Sequence, residues 1–354
     1  MKMAVITFPG HTFEQMFARW SPFFAEGTCE STYYMLRQGL KERGIELVSI
    51  ESLLAGEQCE AVLHCEPYRW DILRRFPQLV HVYLDSEPAI VIPMHADFGL
   101  KLLVRLVFDA VITANHRVRG RRVYNVTYPR DFPRLPKPEQ EVPWEQKKLA
   151  CMFAANKFAI GKTELYSARR AIIKCFEKNA PESFDLYGSG WPTELSVYRG
   201  YAADKFSTSQ KYRFSISLSN VAHVKGLIDE KIYDAMLAGT VPVYQGIDEI
   251  EEYVPAGCFI DYRKFSGPLE CLRYLQNMTQ QEYEQYRRNI KDFLSDPKTH
   301  ERFSARDMAD KLVLASHENP VKKKRHIWVL QAFQIINKVY DRICNWQKKN
   351  ERWT

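Results

Sequence analysis

At 354 residues, 45% hydrophobic and 26% charged, the chain is too long for one ordinary core and is neither a disordered nor a fibrous protein. No window of about twenty apolar residues is present, which excludes a membrane-spanning helix. The eight cysteines form no C-x-x-C pair, which argues against zinc or thiol-redox chemistry and for buried free thiols. The net charge of +7 sits in one place: residues 321–354 carry nine Lys/Arg against Asp341 and Glu351, so the rest of the chain is formally neutral.

In chain order, residues 3–7 read as a buried first strand, and the Pro9-Gly10 break after it is unlike a signal peptide. An aromatic-rich loop (Phe13, Phe17, Trp20, Phe23, Phe24) follows, placed either to stack on sugar rings or to pack in the core. Residues 31–43 form an amphipathic helix stopped by Gly44. Short apolar runs at 45–50, 61–64, 79–84, 110–113 and 123–126 then alternate with helical patterns, which predicts a parallel, doubly wound sheet. Residues 129–148 hold five prolines without periodicity, and we place a linker at 131–148. A second alternation follows: strands at 149–154, 184–187, 213–218 and 258–261, with helices at 164–178 and 203–210. Beyond Gly267-Pro268 everything reads helical: 268–276, 279–294 and 300–316. The expected units are a domain over 1–130, a second with a helical extension over 149–320, and a basic amphipathic helix over 321–354.

Two Rossmann-like domains facing across a cleft, with C-terminal helices, predict an α/β fold of GT-B architecture, with ligands held between the domains. Dehydrogenases share that outline, but no G-x-G-x-x-G follows the first strand, and neither a G-x-x-x-x-G-K-[ST] loop nor a D-x-D pair occurs.

The most informative stretch is 228–246, IDEKIYDAMLAGTVPVYQG. Acids precede a helix whose Ile232, Ala235, Met236 and Ala238 suit close packing on a sheet, Gly239 stops it, and a short apolar strand follows. Lys231 at the helix start beside exposed backbone N–H groups makes an anion site, with phosphate the obvious occupant. The competing reading is that Glu230 and Lys231 are solvated first-turn charges.

Residues 204–246 as a whole, DKFSTSQKYRFSISLSNVAHVKGLIDEKIYDAMLAGTVPVYQG, resemble the signature region of the alpha-1,3/4-fucosyltransferases. A KY-K/R-F strand ending in Asn, a loop, an E-K-I helix start and a P-V-Y-x-G strand occur in family order. The resemblance extends more thinly to KKLACMFAANK and DLYGSG, and faintly into the first domain. It implies an inverting transferase of the bacterial type that moves fucose from GDP-fucose to a glycan hydroxyl, on lipopolysaccharide or a related surface glycan, without metal or other cofactor. The first domain would hold the acceptor and the second the GDP-sugar.

By the same resemblance Glu230 would hold the ribose hydroxyls and Lys231 the phosphates, with Asn220 reaching the donor. Arg169, or alternatively Arg170, would bind the diphosphate bidentately, and Asn156 would match a donor-side Asn. Ser219 stands where the family usually has Glu, Leu227 where Tyr is usual, and the loop 221–228 is one residue longer. Inversion needs a carboxylate base, which the family places in an E-S-P-like turn after a first-domain strand. Here the turn reads DSEPAIV, so Glu87 is the expected base and Asp85 the runner-up, the plain alternative being polar turn residues before Pro88. His95 and Asp97 are expected on a loop facing the acceptor, and His11 could line the same cleft.

The tail repeats apolar residues at helical spacing (Trp328 or Val329, Phe333, Ile336, Tyr340, Ile343, Trp346) with Lys338, Arg342, Lys348 and Lys349 beside them. That pattern predicts an interfacial anchor on anionic lipid; packing back onto the protein is the alternative, and nucleic acid is not an expected partner. The expected location is cytoplasmic, peripheral on the inner face of the cytoplasmic membrane. Two further readings stay open: a GT-B transferase for another nucleotide sugar, and a catalytically silent, membrane-associated glycan-binding protein.

Overall fold

The computed structural model describes residues 1–20, 29–65, 68–132, 142–318, 320 and 325–351. Most of the proline-rich linker (133–141), Phe23 and Phe24 of the aromatic loop, and Lys322, Lys323, Lys324 and Arg352 of the tail lie outside those residues.

The first domain runs β1 (Lys2–Ile6), α1 (Phe13–Met16), α2 (Thr32–Glu42), β2 (Glu46–Ser49), α3 (Ile50–Leu54), β3 (Ala61–His64), α4 (Trp70–Arg75), β4 (Val80–Asp85), α5 (Asp97–Leu106), β5 (Ala110–Thr113) and β6 (Val123–Asn125). Its strands pair in the order β2-β1-β3-β4-β5-β6, each pair parallel. β3, β4 and β5 are buried at every position, because a parallel strand is covered on both faces, and that is why they read as unbroken apolar runs. The short α1 inside the aromatic loop has a capping box of Thr12 and Gln15.

The second domain runs β7 (Lys148–Phe153), α6 (Tyr166–Asn179), β8 (Phe184–Tyr187), α7 (Lys205–Ser209), β9 (Tyr212–Leu218), α8 (Lys231–Leu237), β10 (Val241–Gln245) and β11 (Ile260–Asp261). Its sheet order is β11-β10-β9-β7-β8, all parallel. The chain leaves β7 toward β8 and returns on the other side as β9. Strand order therefore reverses between β7 and β9, and the loops after these two strands flank the crevice. Two parallel-sheet α/β domains facing each other make the GT-B architecture.

The helices α9 (Pro268–Asn277), α10 (Gln280–Ser295), α11 (Pro297–Arg302), α12 (Arg306–Ser316) and α13 (Trp328–Asn350) complete the chain. The expected helix over 300–316 is two helices, and the second of them leaves the second domain. Met308, Ala309, Leu312 and Ala315 of α12 join the core of the first sheet with Met3, Leu36 and Leu40. A Cβ at Gly39 of α2 would stand 3.2 Å from the Ala305 methyl, so the small residue permits the close approach of the two segments. An amphipathic pattern tells that a face is buried and not which core receives it.

Helix α13 begins on the first domain, where Ile327, Val329 and Leu330 pack with Tyr83, Met94 and Leu100. Arg325 precedes it and pairs with buried Asp109 at 2.7 Å. Midway, Tyr340 bridges the domains: its hydroxyl donates to the Ile90 carbonyl (2.7 Å) and accepts from the Ile160 N–H (2.9 Å). Just past the helix, Glu351 pairs with Lys174 of α6 at 2.9 Å. Part of the tail's stripe is thus spent inside the protein. The remainder, Trp328, Ile336, Ile343 and Trp346, is exposed, Trp346 to 66%, and the stripe is widened by exposed Ile335 and Val339, which lie outside that spacing. No helix among the described residues is long and apolar enough to cross a membrane.

Candidate active-site cleft

The switch-point loop after β9 supplies the first part of the cleft. Asn220 follows the strand by two residues, and its side-chain oxygen accepts from Arg169 Nη2 at 3.0 Å. Arg169 also donates through Nε (3.1 Å) and Nη2 (2.6 Å) to the Leu218 carbonyl. This guanidinium, expected on a diphosphate, is buried and engaged with the end of β9, and it lines no cavity described here. What it does in this structure is hold Asn220. Arg170 stacks on Phe158 at 3.9 Å and donates to the Lys157 carbonyl.

Glu230 is the N-cap of α8 and Lys231 its first residue. The helix is fixed from below by Ser217 Oγ, which donates to the Lys231 carbonyl at 3.2 Å, and by complete burial of residues 232–237. The Lys231 ammonium turns back onto Asp229 (2.9 Å) and Glu230 (3.4 Å). Burial works against the Glu230 charge, but Lys231, Lys205 and Arg130 outweigh it and hold the carboxyl well below the usual range. Lys205, from the short α7, is itself paired with Asp234 at 2.5 Å.

The longer loop 221–228 has a structural partner. Gly226 lies at φ +81° against the first domain, where a Cβ would come within 2.7 Å of the Ala114 carbonyl and collide with the His116 ring. The His116 N–H donates to the Lys225 carbonyl (2.9 Å) and Arg117 Nη1 to the His223 carbonyl (3.2 Å). This loop is one of the places where the two domains touch. Ser219, in place of the usual Glu, is buried beside Gly246 and the Tyr244 hydroxyl.

The first domain contributes the turn after β4. Glu87 is half-buried and lines a cavity of about 210 Å³ together with Ser86, Tyr33, Arg130, Asn220, Asp229 and Glu230. Burial pushes its carboxyl pKa up; Glu230 adds to the rise, while Lys157, His95 and Lys231 oppose it. Asp85 and His95, both expected near the acceptor, are instead buried and paired with each other, His95 Nδ1 to Asp85 Oδ1 at 2.7 Å. Thr113 donates to the second Asp85 oxygen (2.5 Å), and the Tyr128 hydroxyl donates to the Asp85 carbonyl (2.8 Å). His95 Nδ1 also lies 2.6 Å from the Glu87 carbonyl oxygen, and Nε2 lies 2.5 Å from the Tyr83 hydroxyl. Burial works against a charged imidazole, but Asp85 and the Glu87 carbonyl prevail and raise the His95 pKa. Neither side chain meets the cleft; together they fix the backbone that presents Glu87. Asp97 accepts from Asn115 Nδ2 at 2.9 Å.

His11 is exposed and lines an adjoining cavity of about 290 Å³ with Gln15, Trp20, Tyr233 and Asp234; Thr32, Tyr33, Arg130 and Glu230 are common to both cavities. Asn156 is apart from these. It donates to the Gly190 carbonyl (3.1 Å) and lines a third cavity of about 410 Å³ beneath α13, with Lys157, Tyr166 and Lys348. The sequence reading missed Arg130, Tyr33 and Lys205. Lys205 lies inside the signature stretch and was within reach, whereas Arg130 sits in what reads as linker. No cluster of three metal-ligating side chains occurs among the described residues.

The sequence model described as "Glycosyltransferase family 10 (fucosyltransferase) C-term" matches residues 144–326. The mouse 4-galactosyl-N-acetylglucosaminide 3-alpha-L-fucosyltransferase 9 is 30% identical over 142 residues, 39% of this chain and 35% of the relative; the match spans about a third of the length of such curated relatives. A crystal structure of an alpha1,3-fucosyltransferase with GDP-fucose superposes with a TM-score of 0.52 at 15% identity, covering 92% of each chain. Anabaena HepE in complex with UDP and glucose gives 0.53 at 13% identity, covering 89% of this chain and 98% of that one. At such identities the two structures speak to the fold.

Proposed function

The chain belongs to glycosyltransferase family 10, and from that membership and the shape of its cleft we propose that it is an inverting fucosyltransferase using GDP-fucose. The observation that carries this reading is a single cavity lined by Glu87 from the first domain and by Asn220, Asp229 and Glu230 from the second. An acceptor and a nucleotide sugar meeting there would have a carboxylate on one side and the α8 start on the other. In the transfer, an acceptor hydroxyl oxygen bonds to the sugar's anomeric carbon as the bond from that carbon to the β-phosphate oxygen breaks. Glu87 takes the hydroxyl proton, and GDP leaves with the bonding electrons. Its raised pKa makes it a stronger base than an ordinary carboxylate. Glu230, held ionised, accepts from the ribose hydroxyls, and Lys231 moves from Asp229 to the departing diphosphate. On this reading no metal takes part, the acceptor is a glycan such as lipopolysaccharide, and the protein works in the cytoplasm.

The decisive experiment supplies the protein with GDP-fucose, other GDP-sugars and UDP-sugars, with and without glycan acceptors, and follows nucleotide release. Acceptor-dependent turnover of GDP-fucose is expected. Turnover of another donor alone would replace fucose in this reading, and binding without turnover of any donor would remove the catalytic reading.

We further propose that the outer face of α13 rests on anionic lipid, because its exposed apolar stripe is flanked by exposed Lys338, Arg342 and Lys349. Flotation with phosphatidylglycerol vesicles should be lost in a Val339→Glu/Trp346→Glu variant. Equal flotation of variant and wild type removes the lipid contact.

A further inference from the structure

Arg130 is the unassigned charge in the cleft. It stands at the end of the first domain, its backbone N–H tied to the Phe303 carbonyl at 2.8 Å, and its guanidinium lies 5.9 Å from the Tyr233 ring centre. The side chain is half-buried in the wall common to the cavity of Glu87 and the cavity of His11. It makes no ion pair or hydrogen bond with a described residue, although it is close enough to Glu230 to lower that carboxyl's pKa. A half-buried guanidinium that meets, among the described residues, only a ring face is uncommon, since desolvation has to be offset by something.

The surroundings indicate the missing partner. Among the described residues lining the Glu87 cavity, Arg130 is the one cation, against Glu87, Asp229 and Glu230. A diphosphate entering that acid-rich wall meets repulsion unless a cation faces it. Lys231 is folded onto two carboxylates, and Arg169 is engaged with Leu218 and Asn220. We propose that Arg130 is a further donor-binding residue. Its planar fork would take the diphosphate from the first-domain side and offset the negative charge that builds as the leaving group departs. This rests on the nucleotide-sugar reading of the cleft. It places one phosphate contact on each domain, so donor binding draws the domains together.

The test measures binding of GDP, GMP and guanosine to full-length wild type, Arg130→Gln and Arg130→Lys. Arg130→Gln should weaken GDP about thirtyfold, as loss of one charge-assisted contact does, with guanosine affinity unchanged. Arg130→Lys should recover part of the loss and keeps a cation in place should the Gln variant fold poorly. An unchanged GDP affinity overturns the proposal. So does equal weakening of GDP and guanosine, which would confine Arg130 to steadying Glu230. If wild type prefers UDP to GDP, the guanine reading has failed, and the same comparison of UDP with uridine decides on Arg130 alone. Failure of wild type to bind either diphosphate overturns both.

Discussion

The two walls of the cleft are built in different ways. On the second-domain side, Asn220, Asp229, Glu230 and Lys231 fall within twelve consecutive residues between β9 and α8. Strand end, loop and helix start are local structures, so their chemistry and spacing travel together in the sequence. On the first-domain side, Tyr33, Glu87, Tyr128 and Arg130 come from α2, the turn after β4 and the end of the domain, and only tertiary packing assembles them. A wall written in one stretch can be read as a motif; a wall gathered from three cannot. The proposed division of labour follows the same line in part: ribose recognition on the local wall, proton transfer on the assembled one, and the diphosphate held from both, by Lys231 and Arg130.

The sharpest way to break that division is Glu87→Gln. The amide keeps the shape and removes the base, so turnover should fall about a thousandfold while GDP affinity stays within twofold. Near-normal turnover would move the base elsewhere. In wild type, the acid limb of kcat/KM should lie above the ordinary carboxylate range, because burial raises the Glu87 pKa and the base works only when ionised. An acid limb at or below that range would mean another group sets the profile.

A step smaller is Asp85→Asn, which leaves His95 without its buried counter-charge. Removing one member of such a pair costs about 3 kcal/mol of stability. The pH dependence carries the sign. The His95 pKa is raised in the folded protein, so its contribution is fully present below the unfolded value of about 6.5 and is lost as pH climbs through the folded one. Wild type should therefore lose stability as pH rises above about 6.5, and the variant should lack that slope. Identical slopes in urea titrations at several pH values would show that the pair does not hold the turn.

Asp85 and Glu87 also mark where the sequence stops being legible. Both are carboxylates in one DSEP turn, and nothing in the residue types tells which faces the cleft. Asp85 is the last residue of β4 and inherits the burial of a strand covered on both faces; Glu87 lies beyond the strand, half-buried where the chain turns along the cleft. The alternating strands and helices and the α8 start were readable because periodicity and caps are local. The seat of α12, the bridge made by Tyr340 and the partner of the loop 221–228 were not, since each depends on a surface that folding creates. Arg169 illustrates the same limit: its position on α6 was foreseeable, but its turn toward Leu218 and Asn220 was not.

Lys231→Ala gives the smallest expected effect and probes the local wall by itself. In the free protein the ammonium is held by Asp229 and Glu230, and because Lys231 and Asp229 are largely buried, its removal leaves a carboxylate short of its counter-charge and should also lower stability. With donor bound, the same ammonium faces a diphosphate, and its removal should weaken GDP about thirtyfold. The loss should shrink in high salt, because screening weakens the charge contact that wild type alone makes. Glu230 loses one of its three stabilising cations in the variant, so its carboxyl should protonate at higher pH and GDP binding should fail earlier on acidification. A variant that binds GDP as wild type does at every pH would place the phosphates elsewhere in the cleft. The assembled wall, with Arg130, would then be the side that recognises the donor.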